Sequence, residues 1–121
     1  MKYEIVERNG AEIAVVSGNE IVISDVASAL DLMMTVRHEA VCSRIAVEKD
    51  CVAEPFFILS TQIAGEILQK FINYQMKLAV YGDYSKYTSK PLRDFIYESN
   101  KGKDFFFVST RDEALERLSH I

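Results

Sequence analysis

Residues 60–83 read STQIAGEILQKFINYQMKLAVYGD, and two kinds of pattern meet inside them. Ile63, Ala64, Ile67, Leu68, Phe71 and Ile72 recur at spacings of one and three, with Gln62, Glu66, Gln69, Lys70 and Asn73 between them. Such a stripe specifies an amphipathic helix with one buried face. Ser60 or Thr61 stands just before it, a hydroxyl able to cap the first free N–H groups. Lys77–Tyr81 (KLAVY) is then a short apolar run of strand length, closed by Gly82-Asp83. A helix leading into a buried-type strand is half of a βαβ unit. The rest of the chain supplies the other halves.

Upstream, Arg44–Glu48 (RIAVE) is another buried-type strand. Asp50–Pro55 reads as a loop, ended by a proline that cannot donate into a ladder. Phe56–Leu59 is apolar and extended or turn-like. A first helix starts at Ser24 or Asp25, with Val26, Ala29, Leu30, Met33, Met34 and Val36 inward. The opening YEIVER-NG-AEIAVV is a hairpin, because Asn9-Gly10 tolerates the positive φ of a type I′ turn. Tyr3–Arg8 and Ala11–Val16 are its strands, and Ile21–Ile23 adds a short extended piece.

Downstream, a third helix is expected from about Thr88 to Glu98, with Leu92, Phe95 and Ile96 inward. Pro91 falls in its first turn, where the missing N–H costs nothing. Asn100-Lys101-Gly102 stops it. Asp104–Ser109 (DFFFVS) is a strand. Ser109 or Thr110 caps a last helix carrying Ala114, Leu115 and Leu118. The order ββαβαβαβα predicts one α/β domain over residues 1–121. Its sheet is mixed and mostly parallel, of about five strands with about four helices.

Composition narrows the function. Apolar residues make up 49% and charged residues 26% of the 121, the balance of an ordinary globular domain. The net charge of −4 lacks the basic excess of a nucleic-acid binder. No apolar run has the length of a signal peptide or a membrane span. Cys42 and Cys51 are too few for a disulfide framework, so free thiols in a reducing cytoplasm are expected. Neither they nor His38 has the spacing of a zinc site, and no metal or cofactor is expected. No G-x-S-x-G elbow occurs, and the histidines are only His38 and His120, a poor basis for a hydrolase triad.

The element order and the ending FFFVSTRDEALERL (residues 105–118) resemble the STAS domain, the fold of the anti-sigma-factor antagonists. The resemblance implies a regulatory, phosphorylation-switched partner of other proteins. In that family a short Asp-Ser-Ser-Gly loop opens the second helix, and its second serine is phosphorylated. Here Thr61 falls at that serine and Ser60 beside it, while Leu59 stands for the aspartate and Gln62 for the glycine. The segments IAGEILQKF (63–71) and YGDYSKYTSKPLRDFIYESNKG (81–102) are similar to a bacterial family catalogued as a domain of unknown function, number 4180.

Two stretches are candidates for function. A hydroxyl of Ser60 or Thr61 at a helix start either accepts a phosphate or serves as a plain cap. Together with Gln62 and Glu66 it would present a surface to a protein partner. The second stretch follows strand 77–81, where open α/β sheets place ligands. Tyr84, Lys86, Tyr87, Lys90 and Arg93 there could hold a phosphate or carboxylate. Lys86, Lys90 and Arg93, four and three apart, share one face if the helix begins near Lys86. The first expectation is a non-enzymatic cytoplasmic regulatory or interaction module, with room for a homo-oligomer. The second is a sensor of a small anionic metabolite through segment 81–102. A small enzyme using the same loop is the remotest. Nucleic acid and membrane are not expected partners.

Overall fold

The computed structural model describes residues 2–121. Its elements are β1 (Glu4–Arg8), β2 (Ala11–Val16), α1 (Val26–Ala40), β3 (Arg44–Glu48), α2 (Ile63–Asn73), β4 (Lys77–Tyr81), α3 (Lys90–Lys101), β5 (Phe105–Val108) and α4 (Arg111–Ser119). The five strands form one sheet in the order β1-β2-β3-β4-β5. β1 pairs antiparallel with β2, and every later neighbour is parallel. The α/β class, mixed sheet and four helices match the sequence reading.

Each parallel strand lies beside the one before it, always in the same direction. Right-handed crossovers then put α1, α2 and α3 on one face. That face holds the larger core: Ala14, Val16, Ile45, Val47, Leu78, Val80 and Phe107 from the strands meet Leu32, Met33, Ile67, Phe71 and Leu92 from the helices. The alternate residues Ile13, Val15, Ala46, Ala79, Phe106 and Val108 point the other way, as strand pleating requires. Ala114, Leu115 and Leu118 of α4 cover them.

The main departure lies between β3 and α2. Residues expected as a loop over Asp50–Pro55 and as extended or turn-like chain over Phe56–Leu59 take the turn-like form throughout, as three short 3₁₀ turns, Lys49–Cys51, Glu54–Phe57 and Leu59–Thr61. Burial is the cause: Cys51, Phe56 and Phe57 face the core, and tight turns carry them there. The Ile21–Ile23 piece shrinks to a bridge between Ile23 and Val52. Here the Val22 and Ile23 N–H groups donate to the Cys51 carbonyl (2.8 and 3.2 Å).

Helix ends follow local chemistry. Asp25, one of the two expected starters of α1, caps it in a reciprocal box with Ser28. Leu32 is buried in that helix, while the expected Leu30 and Met34 are only half-buried. α2 starts at Ile63; the Thr61 hydroxyl accepts from the Ile63 N–H at 3.3 Å, as a capping hydroxyl would, but neither Ser60 nor Thr61 is the residue at the cap position. Gln62 is, at φ 66°, with no side-chain cap bond. α3 starts at Lys90 rather than Thr88, because the Ser89 side chain accepts from Leu92 N–H.

At the end of α1, Val41 takes the left-handed conformation, φ 50° and ψ 46°, and is 86% exposed. A β-branched residue is strained there, and its exposed side chain contributes little packing. Val41→Gly is expected to raise stability by about 0.5–1 kcal/mol, the strain relief less the glycine's added unfolded-state entropy. The urea midpoint rising at constant m-value is the readout.

Candidate functional site

The two stretches singled out in the sequence meet. The 54–61 turns and the loop before α3 enclose an open cleft of about 400 Å³. Phe57, Ile58, Leu59, Pro91 and Leu92 give it apolar walls. Ser60, Thr88 and Ser89 bring hydroxyls, and Lys86 and Tyr87 close one end. Ile58 stands at the lip, 52% exposed. Three 3₁₀ turns in succession explain the shape: they bury Phe56 and Phe57 while leaving Ile58 and Ser60 facing outward.

At the Lys86 end, three residues converge on Glu54: Lys86 and Tyr87 from the loop before α3, and Lys49 from the turn after β3. One carboxylate oxygen accepts from Lys86 Nζ at 2.7 Å and the other from the Tyr87 hydroxyl at 2.8 Å. Lys49 Nζ lies 3.9 Å from the first oxygen. The Lys86 and Tyr87 bonds, in that order, hold the Glu54 carboxyl below the ordinary carboxylate range. Burial, and then the bond to Glu54, push the Tyr87 phenol well above its usual value.

Lys49 is the unusual member. Its side chain is only 9% exposed. Its ammonium sits 4.8 Å from the Tyr87 ring centre and 5.2 Å from that of Phe57, a cation–π arrangement. The two rings lie 5.2 Å apart. Among the described residues its nitrogen has no hydrogen-bond acceptor. Gly82 makes room for it: φ is +156°, and a Cβ at that position would come 2.6 Å from Lys49 Cβ.

The other candidates are placed as follows. Ser60 lines the cleft. The Thr61 hydroxyl faces the Pro55 and Ile58 carbonyls, both at 2.8 Å, and so fastens the turn. Gln62 and Glu66 are exposed, and Glu66 lies on another hollow beside Val26 and Lys70. Tyr84 packs against Phe57 and Phe107 and donates to the Val80 carbonyl (2.8 Å), so its hydroxyl serves the fold. The Lys86–Lys90–Arg93 strip does not assemble, because the helix begins at Lys90 and leaves Lys86 in the preceding loop. Lys90 pairs with Asp94 at 2.6 Å, one helical turn on. Arg93 is exposed outside the cleft.

Lys49 and Glu54 were not among the candidates. Glu54 reads in sequence as part of a solvated acidic loop with Glu48 and Asp50. Lys49 carries one usable signal, its place just past a parallel strand's carboxyl end. Elsewhere the thiols are spoken for: Cys42 Sγ donates to the Glu12 and Arg44 carbonyls, and Cys51 Sγ to that of Gly18. Among the described residues no group of three or more His, Cys, Asp or Glu side chains is gathered to hold a metal, and no helix is long and apolar enough to cross a membrane.

No curated protein and no solved structure matches the chain. A family model does, over residues 8–118, and that span contains β2 to β5, all three 3₁₀ turns, the cleft and the Glu54 cluster. With most of its length matched, the chain belongs to the family described as a domain of unknown function, DUF4180.

Proposed function

We propose that this domain is a non-enzymatic regulatory or protein-interaction module of the bacterial cytoplasm, built on a STAS-like scaffold, and that the cleft between residues 54–61 and 86–92 faces its partner. The observation that carries the reading is the cleft itself. It has apolar walls, a half-exposed Ile58 at its lip and the exposed Ser60, Thr61 and Gln62 alongside. Apolar centres with polar rims are the anatomy of protein contact sites. The element order ββαβαβαβα supports the scaffold, and two buried free thiols support a reducing compartment.

A photo-crosslinking amino acid placed at Ile58 in the native cell tests this. A discrete protein adduct is expected from position 58 and none from Glu116, on α4 across the sheet. Equal capture at both positions, or none at either, contradicts the reading. A second reading, a sensor of a small anion, is favoured by one observation: Lys49, Lys86 and Tyr87 all turn to a single carboxylate.

A further inference from the structure

We infer that Lys49, Lys86 and Tyr87 form a binding site for a carboxylate, that Glu54 occupies it in the resting molecule, and that its external ligand is a small carboxylic acid whose apolar stem lies in the adjoining cleft. The inference rests on the second reading above and makes its ligand specific.

The arrangement recognises both oxygens of one carboxylate. Lys86 and Lys49 address the first oxygen, the Tyr87 phenol the second, at 2.7, 3.9 and 2.8 Å. Charge-assisted bonds of this kind are the strong ones and fix orientation. As a stabilising device the cluster is poor. The Lys86–Glu54 pair is more than half exposed on both sides, and such pairs contribute little. The Lys49 side chain is largely buried, but its nitrogen is not among the buried side-chain atoms left without a partner, so the ammonium keeps contact with solvent and stays open to an incoming carboxylate. Asp83, whose Oδ1 accepts from Ser85 N–H at 2.8 Å, is close enough to interact with Lys49 through charge but makes no hydrogen bond to it.

Glu54 is suited to leave. It lies in the first turn of a 3₁₀ segment, its side chain 55% exposed, and can swing to water by side-chain rotation alone. Lys86 and Tyr87 belong at once to this cluster and to the wall of the cleft. A ligand whose carboxylate replaced that of Glu54 would therefore lay its stem along Phe57, Ile58 and Leu92. About 400 Å³ is the scale of small-molecule sites.

Phenylacetate is the probe, titrated into wild type and Glu54→Ala and followed by amide NMR shifts, with 2-phenylethanol, acetate and inorganic phosphate beside it. Thermal melts confirm that the variant, altered at an exposed side chain, is folded. Phenylacetate is expected to bind Glu54→Ala at least tenfold more tightly than wild type, to shift residues 57–60 and 86–92, and to lose that gain in Glu54→Ala/Lys86→Ala. Acetate and 2-phenylethanol should each bind at least tenfold more weakly. Equal affinity for wild type and variant, or equal binding of 2-phenylethanol, overturns the inference. Phosphate binding without phenylacetate binding overturns it too but keeps the anion-sensor reading; binding of neither removes both.

Discussion

Phe71→Ala is expected to destabilise the domain by about 3–5 kcal/mol, the range for truncating a buried aromatic. Phe71 is 0% exposed. Its ring meets that of Phe105 edge-on at 6.5 Å, so it ties α2 to the last strand. Its carbonyl also accepts from Met76 N–H at 2.8 Å, where the chain turns from helix into β4. A domain of this size has roughly 5–15 kcal/mol in total, so the change removes a large share. The urea midpoint should fall with the m-value unchanged. A loss under ~1 kcal/mol would place Phe71 outside the core.

Gly82→Ala is expected to cost about 2–4 kcal/mol, and it links the fold to the site. At φ +156° an alanine is strained, by ~1–3 kcal/mol. Its methyl would also lie 2.6 Å from Lys49 Cβ, close to the backbone rather than at a flexible end, so overpacking adds a similar amount. Relief requires Lys49 to move from the Phe57 and Tyr87 rings. Gly65→Ala is the matched control, since nothing lies within 4 Å of a Cβ there. In that exposed helical position alanine should stabilise by about 0.5–1 kcal/mol. Urea melts of the two variants should move in opposite directions. A Gly82→Ala midpoint equal to wild type would mean that Lys49 is not held against this strand end.

Much of the fold was legible because its signals are local. Asn9 and Gly10 have the positive φ values, 53° and 80°, that their hairpin demands. The stripe from Ile63 to Phe71 is periodic enough to fix which face of α2 is buried. The 49–61 segment was not legible, since its turns are imposed by where Cys51, Phe56 and Phe57 must go. Gln62 at φ 66° shows the same limit: the preceding turns set the entry to α2, and the Thr61 hydroxyl reaches the Ile63 N–H from one residue before the cap position. Ser60 and the Lys86-Tyr87 pair could each be picked out by residue type, but their meeting in one cleft is tertiary. Lys49 and Glu54 lie near each other in sequence as ordinary surface charges. Only the Tyr87 ring, brought over from segment 84–87 to lie beside Phe57, gives Lys49 its aromatic wall and Glu54 its second hydrogen bond.

The titration of the Glu54 carboxyl, followed by carbon-13 NMR, tests the site most directly. Lys86 and Tyr87 donate to the ionised form and Lys49 adds its charge, so the folded midpoint lies below the ordinary value of 4.5. A depressed carboxylate stabilises the fold fully above its unfolded midpoint, and that contribution disappears as the pH falls through the folded one. Wild type should therefore titrate below the ordinary range, and Lys86→Ala and Tyr87→Phe should each bring the midpoint back toward it. A wild-type midpoint at the ordinary value, unmoved by either substitution, would contradict the seating of Glu54 on Lys86, Tyr87 and Lys49.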